Sequence, residues 1–251
     1  MENQNFWSNL AQEILFPHLI SLSAHVNVGI VNGKKAKPHS RPYIVSIQKN
    51  GHHNCCGFLM SDEFVLTAAY YSRALNEILT AVVGAHDLKN MTEGSVRIRV
   101  KSYHQHPDYS SDTRLHDIML LRLQEKVQLS PNAEPISLMN KKYIKPGTAC
   151  SVAGWEKLKF KGSASDHLME ANMEILKITL FSMMMCVCTK HNSQTLLIYE
   201  QGDSGGSLVC GKTADSITSF ADYNVFNSPE HPTVYTKISA NGNQISNGFA
   251  K

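Results

Sequence analysis

The run at residues 202–210, Gly-Asp-Ser-Gly-Gly-Ser-Leu-Val-Cys, limits the fold and chemistry of this chain more than any other stretch. A serine between small residues in a tight turn has no neighbouring side chain to block its hydroxyl, and glycines let backbone N–H groups converge on one point. An anionic tetrahedral intermediate needs such converging donors. The short pattern Gly-x-Ser-x-Gly occurs in many folds, but the longer run is much more specific. It predicts a turn that presents Ser204 beside an anion-binding site.

The size and charge of the chain suit one large domain, or two small barrels that share a cleft. Its 251 residues are 42% hydrophobic and 18% charged, which is ordinary for a globular protein with a sizeable core. The formal net charge of +3 is weakly basic, and lysines cluster within residues 34–37 and 157–161. A solvated face is the favoured interpretation of these clusters, and binding of a polyanion is the alternative. No feature indicates nucleic-acid recognition.

Residues 1–29 differ in character from the rest of the chain. The apolar run at residues 14–22 is typical of the core of a signal peptide, yet the residues before it include Glu2 and Glu13 and no lysine or arginine. The run is also too short to span a membrane. We interpret residues 1–29 as a degenerate leader or propeptide, and we expect no membrane span.

Short apolar segments separated by Gly, Asn, Pro and Ser dominate the remaining sequence. At residues 96–100 apolar and basic side chains alternate strictly, which is the period of a half-buried strand. Helical periodicity is almost absent. The pattern predicts an all-β protein, with a barrel or a sandwich favoured.

Several motifs occur in the order in which the chymotrypsin-like serine proteases carry them. They are Ile30-Val31-Asn32-Gly33, Leu66-Thr67-Ala68-Ala69, Asp117-Ile118-Met119-Leu120-Leu121, Ala153-Gly154-Trp155, the 202–210 run and Ser219-Phe220. The chain resembles this family over residues 29–240, and residues 36–43 are similar to the granzyme and mast-cell-protease branch in particular.

This resemblance implies two six-stranded antiparallel β-barrels with the active-site cleft between them. It implies a trypsin-like peptidase domain over residues 30–251 that hydrolyses peptide bonds, with a peptide or protein as substrate or ligand. It implies no cofactor and no metal, and an extracellular or secretory-granule location.

The resemblance also assigns roles to individual residues. In this family a serine is made nucleophilic by a base, which a buried carboxylate orients. Ser204 is then the nucleophile, Asp117 is the orienting carboxylate, and the N–H groups of Gly202 and Ser204 form the oxyanion hole. The apolar residues that follow Asp117 favour a buried carboxylate over a surface aspartate at the start of a strand.

The base is missing from its place in this pattern. Where the family has histidine after Leu-Thr-Ala-Ala, the chain has Tyr70. A tyrosine hydroxyl titrates near 10, against about 6.5 for histidine, so about one phenol in a thousand is ionised at neutral pH. Removing the triad histidine from a comparable enzyme costs on the order of 10⁶ in kcat. We therefore predict a catalytically impaired or inactive protein, and we do not expect His116, beside Asp117, to replace the base.

The six cysteines have no zinc-ligand spacing with histidines, so disulfides in a secreted protein are favoured over a metal site. The resemblance implies that Cys150 and Cys210 form a disulfide. Cys55 matches a family cysteine whose partner position is Tyr71 here, so that bridge cannot form. The cysteines left without an assigned partner are Cys55, Cys56, Cys186 and Cys188.

The substrate pocket implied by the resemblance is also altered. Ile198, Ser219 and Ala221 stand at positions that match the family pocket. These residues predict a small apolar pocket, which does not favour basic side chains.

An activation switch is the last feature that the resemblance implies. If the chain is cut after residue 29, Ile30 gains a free ammonium group, which is expected to pair with Asp203. A buried carboxylate left unpaired is strongly unfavourable, so this pair would draw the neighbouring loop into its anion-binding shape.

Three functions are consistent with these features. The first is a serine endopeptidase lineage in which this chain is a non-catalytic pseudoprotease. The second is a secreted binding protein that uses the protease scaffold for recognition. The third is a defective gene product, because the leader, the base, the disulfides and the C-terminal segment all depart from the family pattern. The fold alone does not choose among them.

Overall fold

The alternation of short apolar runs with turn residues produces antiparallel strands. The computed structural model describes residues 34–74, 78–90, 94–140, 144–155, 165–175, 185–190, 204–220, 233–241 and 245. Within these ranges the strands are β1 (Lys34–Lys35), β2 (Ile44–Lys49), β3 (His52–Leu59), β4 (Phe64–Thr67), β5 (Leu79–Val83), β6 (Val96–Gln105), β7 (Met119–Leu123), β8 (Ser137–Leu138), β9 (Ala149–Gly154), β10 (Met169–Ile175), β11 (Met185–Lys190), β12 (Ser207–Cys210), β13 (Thr213–Phe220) and β14 (Thr233–Lys237). Short 3₁₀ helices cover Ala69–Ala74 and Ile238–Ala240. No helix in these ranges is both long and apolar enough to cross a membrane.

The first barrel is built from strands β2 to β7. They pair in the order β2, β3, β4, β7, β6, β5, and β5 returns to β2 to close the barrel. Strand β6 shows how the sequence specifies the inner face, since Ile98 and Val100 are buried while Arg97 and Arg99 are exposed. This is the period of two that the alternating sequence predicts for a half-buried strand.

The second barrel uses the later strands of the chain. They pair in the order β10, β11, β14, β13, β12, β9, and the pairing of β9 with β10 closes the ring. Every pair in this ring is antiparallel, and the short strands β1 and β8 lie at its margins. The predicted all-β fold with two six-stranded antiparallel barrels is therefore confirmed, and the sandwich alternative is wrong.

Apolar side chains from both barrels pack together where the barrels meet, a region called here the barrel junction. Phe58 and Leu66 of the first barrel share one cluster with Val209 and Ile217 of the second. Trp155, which is fully buried, donates its indole N–H to the carbonyl oxygen of His86 at 3.1 Å. A buried tryptophan combines a large apolar area with a directed hydrogen bond, so these contacts hold the barrels in one relative position.

A buried ion pair links two neighbouring strands of the second barrel. Lys237 Nζ lies 3.0 Å from Asp215 Oδ1, and Ser216 Oγ donates to Asp215 Oδ2 at 2.6 Å. The side chains of Lys237 and Asp215 are 7% and 0% exposed. Because an isolated buried charge is costly, each member of this pair depends on the other.

Candidate active site

The Ser204 turn is pressed against the first barrel at the barrel junction. Ser204 O accepts a hydrogen bond from Cys56 N at 3.2 Å, and the serine is buried. Gly205 has a φ of 91°, and a Cβ at this position would overlap Cys56 O and Thr67 Oγ1. The glycine after the serine is therefore required both by its left-handed backbone and by the close approach of another chain segment.

Strand β13 connects this turn to the first barrel. Gly205 N donates to Thr218 O at 2.7 Å, and Thr218 N donates to Gly206 O at 2.9 Å. The next residue, Ser219, donates its hydroxyl hydrogen to Asp117 Oδ2 across the barrel junction. The turn that holds Ser204 and the carboxylate of Asp117 are thus joined through two consecutive residues of one strand.

The carboxylate of Asp117 is completely buried and hydrogen-bonded at both oxygens. Ser219 occupies Oδ2, and Tyr70 N donates to Oδ1 at 2.7 Å. Burial raises the pKa of this carboxyl above its ordinary value, against the opposing effects of these two hydrogen bonds and the positive charge of Arg114. The hydrogen bonds are what make an ionised carboxylate tolerable in this apolar surrounding.

Tyr70 begins the segment where the base was expected, and its ring is held between two neighbours. The guanidinium carbon of Arg114 lies 3.4 Å from the centroid of the Tyr70 ring. The ring of Tyr71 contacts it edge-on, with centroids 5.4 Å apart. Within the described ranges, no imidazole hydrogen-bonds to Ser204 Oγ or to the carboxylate of Asp117.

His116 is bonded elsewhere. Its Nδ1 lies 3.1 Å from Asn241 Oδ1, and its ring stacks on that of His106 with centroids 4.4 Å apart. Asn241 Nδ2 donates to Lys237 O at 2.7 Å, so Asn241 Oδ1 is the acceptor and His116 Nδ1 carries the hydrogen. The imidazole is engaged with the C-terminal segment, which agrees with the expectation that it does not replace the base.

The cysteines of the described ranges are of two kinds. Cys150 and Cys210 are joined by a disulfide, whereas Cys55 and Cys56 are buried thiols that are not disulfide-bonded, and Cys56 Sγ lies 4.0 Å from His53 Nε2. Tyr71 packs against the same core cluster that contains Cys55. Burial raises the pKa of the Cys55 thiol to about 12, so it remains protonated at physiological pH. Strand β11 carries Cys186 and Cys188, whose side chains lie outside the described part of the structure.

Several predicted site residues lie outside the described residues. They are Gly202 of the oxyanion hole, Ile30 and Asp203 of the activation pair, and Ile198 and Ala221 of the pocket. Their roles stay predictions. Ser204, Asp117, Tyr70 and Ser219 lie within the described ranges and are brought to the barrel junction.

The sequence pattern does not identify Arg114 as part of this group. Arg114 lies shortly before Asp117 in the same loop, and nothing in its local sequence distinguishes it from an exposed loop arginine. Its contact with Tyr70 depends on the fold of the whole barrel. The one available signal was its closeness in sequence to Asp117.

Known proteins match this chain along most of its length. The sequence profile of the trypsin family matches residues 30–245. Granzyme B of Rattus norvegicus is 36% identical over 234 residues, which cover 87% of this chain and 91% of the relative. Duodenase-1 of Bos taurus is 35% identical over 222 residues, which cover 84% of this chain and 85% of the relative. Mast cell protease 2 of Meriones unguiculatus is 34% identical over 233 residues, which cover 88% and 91%.

The fold agrees with these sequence matches. The solved structure of neuropsin, described as a serine protease expressed in the limbic system of mouse brain, is similar with a TM-score of 0.76 at 29% identity. The similarity covers 87% of this chain and 99% of that one. Together with the Ser204 turn and Asp117 at the junction of two closed barrels, these matches show that the chain belongs to the trypsin family of serine proteases.

Proposed function

We propose that this chain is a pseudoprotease: a serine endopeptidase by lineage whose peptide-bond hydrolysis is absent or strongly impaired. The observation that carries the proposal is the placement of Tyr70, whose backbone N–H bonds to Asp117 while its ring lies under Arg114. A phenol in this place does not take the proton of Ser204 at neutral pH and does not pass it to a leaving amine.

The remaining machinery has defined roles in this proposal. Ser204 would be the nucleophile, and Asp117 would orient a base that is not there. The N–H groups of Gly202 and Ser204 would stabilise an oxyanion, which by itself leaves about 10³–10⁴-fold catalysis over water in a comparable enzyme. Because the base is missing, hydrolysis would fall by on the order of 10⁶ in kcat relative to an intact triad.

Two features of the family belong to the proposal as well. A small apolar pocket formed by Ile198, Ser219 and Ala221 would receive an uncharged side chain. Cleavage before Ile30 would create the ammonium group that pairs with Asp203. Hydrogen exchange on the full chain and on the 30–251 form would test the switch, because equal protection of residues 202–204 in both forms would contradict it.

Hydrolysis of apolar reporter peptides tests the main proposal. The full chain and the chain cleaved after residue 29 are each compared with Ser204→Ala, and we expect no difference between parent and variant. A serine-directed phosphonate probe provides a second readout, with slow or no labelling of Ser204 expected. Turnover at an ordinary protease rate of about 1–10³ s⁻¹, lost in Ser204→Ala, would overturn the proposal.

A second candidate function is binding of a polyanion outside the cell or in a secretory granule. The observation that favours it is a row of exposed basic residues on one face of β6, formed by Arg97, Arg99 and Lys101. Residues two apart on a strand share a face, so their charges act together. The triple variant Arg97→Gln, Arg99→Gln, Lys101→Gln should elute from a sulfated polysaccharide at much lower salt than the parent. Lys126→Gln is the control and should elute close to the parent. Unchanged elution of the triple variant would show that these three residues do not bind the polyanion.

A further inference from the structure

Arg114 lies in a loop between β6 and β7 that is closed by its own hydrogen bonds. Arg114 N donates to Ser110 O at 2.8 Å, and Ser110 N donates to Leu115 O at 3.2 Å. Thr113 N donates to Ser110 Oγ at 3.3 Å. Arg114 itself has a left-handed backbone with a φ of 58°, which is unfavourable for a residue other than glycine. The loop therefore holds Arg114 in one place at the expense of local strain.

The guanidinium of Arg114 is held flat against an aromatic ring at the candidate active site. Its central carbon is 3.4 Å from the centroid of Tyr70, whose backbone N–H is bonded to Asp117. Stacking uses the face of the guanidinium and leaves its N–H groups at the edge. A stacked arginine has already lost much of its side-chain freedom, so it loses little more when it binds a ligand.

The guanidinium N–H groups of Arg114 have no acceptor among the described residues. The other half-buried arginines of these ranges are both paired, Arg41 with Glu170 at 3.1 Å and Arg122 with Glu63 at 2.8 Å. No carboxylate of the described ranges lies within 4.0 Å of the Arg114 guanidinium. A half-buried guanidinium without a partner is unusual, because its desolvation is offset by nothing but the stack.

Asp117 does not serve as the missing partner. Its positive neighbour Arg114 acts on it through space, but the two carboxylate oxygens are occupied by Ser219 Oγ and Tyr70 N. Asp117 is completely buried, whereas Arg114 is partly exposed. Because Arg114 is partly exposed and does not bond to Asp117, its charge remains accessible to a ligand.

We propose that Arg114 is a specificity-determining residue, which binds the side-chain carboxylate of an aspartate or glutamate in a peptide lying in the cleft beside Ser219. The planar fork of a guanidinium matches both oxygens of a carboxylate. This inference rests on the proposed function, because it takes the ligand to be a peptide in the same cleft. It adds that the cleft selects acidic peptides, whether or not it cleaves them.

Binding of short peptides to the full chain tests the inference. The probes are acetylated, amidated tetrapeptide pools in which one position is glutamate or, in the matched pool, glutamine, so that no terminal carboxylate competes. We expect the best glutamate pool to bind about tenfold more tightly than its glutamine counterpart, a difference of about 1.4 kcal/mol. The preference should decrease with added salt, since the pair is partly exposed.

Variants distinguish a specific contact of the Arg114 guanidinium from a general effect of positive charge on the protein surface. Arg114→Gln should bind both pools as weakly as the parent binds the glutamine pool. Arg114→Lys keeps the charge without the planar fork and should retain only part of the preference. Lys126→Gln, at an exposed lysine that pairs with Asp62, is the control and should keep the full preference. The parent comparison needs no variant, so it stands even if Arg114→Gln fails to fold.

The outcomes distinguish this inference from the proposed function. Equal binding of the glutamate and glutamine pools would overturn the role of Arg114 and leave the pseudoprotease proposal intact. A preference that survives Arg114→Gln would also overturn that role. Binding of no pool at all would overturn the peptide-binding cleft, and the inference about Arg114 with it.

Discussion

Ser219 in the second barrel donates its hydroxyl hydrogen to Asp117 in the first. Both residues are buried, with side chains from different halves of the chain that meet at the barrel junction. The carboxylate therefore reaches its final environment only when both barrels are in place. We therefore expect a variant that disturbs the packing of the barrel junction to change both the pKa of Asp117 and the geometry of the Ser204 turn.

Restoring the base should restore measurable catalysis. We expect Tyr70→His to raise Ser204-dependent hydrolysis of apolar peptides by at least about 10²-fold, because general base catalysis contributes about 10²–10⁴-fold. The rate should rise with pH through about 6.5, the ordinary pKa of histidine. Tyr70→Phe and the double variant Tyr70→His, Ser204→Ala are the controls. Equal rates for Tyr70→His and Tyr70→Phe would show that the rest of the site is degraded as well.

Replacing Asp117 by asparagine should stabilise the protein at neutral pH. Burial raises the pKa of Asp117 above 3.8, so the folded state binds this proton more tightly than the unfolded chain does. Stability from this group is therefore present at low pH and is lost as the pH rises through the raised pKa. Urea denaturation should give Asp117→Asn a larger free energy of unfolding at pH 7, by about 1 kcal/mol.

The difference in the free energy of unfolding between Asp117→Asn and the parent should also depend on pH. The gap in the free energy of unfolding between Asp117→Asn and the parent should narrow as the pH falls from 7 toward the raised pKa of Asp117, because the aspartate then becomes neutral. A gap that stays constant or widens on acidification would mean that burial of this charge does not control stability here.

Breaking the buried ion pair of the second barrel should be far more damaging than breaking an exposed one. Asp215→Ala leaves Lys237 charged and buried, which should reduce the free energy of unfolding by about 3–5 kcal/mol. The double variant Asp215→Leu, Lys237→Met should lose much less, because no unpaired charge remains. Lys126→Gln, which breaks an exposed pair with Asp62, is the control. Denaturant titrations in which Lys126→Gln lowers the free energy of unfolding as much as Asp215→Ala would contradict this prediction.

Alanine substitution at two glycines with similar φ angles distinguishes backbone strain from steric crowding at the Ser204 turn. Gly51 has a φ of 82° and open space around it, whereas Gly205 has a φ of 91° and faces Cys56 O and Thr67 Oγ1. Gly51→Ala should cost about 1–2 kcal/mol from the left-handed backbone alone. Gly205→Ala should cost about 1–3 kcal/mol more, because the methyl group has no room. Similar thermal melts for the two variants would show that the turn can move away.

The sequence contains enough local information to predict an all-β protein. Strict alternation in β6 predicts a half-buried strand, because inward and outward positions alternate with a period of two. The two-barrel arrangement is what the resemblance carried by the ordered motifs implies. The small residues around Ser204 likewise predict a tight turn, and Gly205 has the positive φ that such a turn requires.

The contacts around Asp117 could not be predicted in this way. Arg114 and His116 both have left-handed backbones, with φ values of 58° and 55°. Single residues of this kind leave no periodic signal in a sequence. Their partners lie far away in the chain: Tyr70 reaches Arg114 when the first barrel folds, whereas Asn241 reaches His116 only when the two barrels assemble.

The disulfide found among the described residues joins strands within one barrel and does not link the two halves. Cys150 and Cys210 face each other on β9 and β12 of the second barrel, whereas Cys55 and Cys56 of the first barrel are buried thiols. A change of redox conditions therefore acts on the two halves unequally. The half that carries Tyr70 and Asp117 matures without an oxidant, and the half that carries Ser204 gains its covalent constraint only in an oxidising compartment.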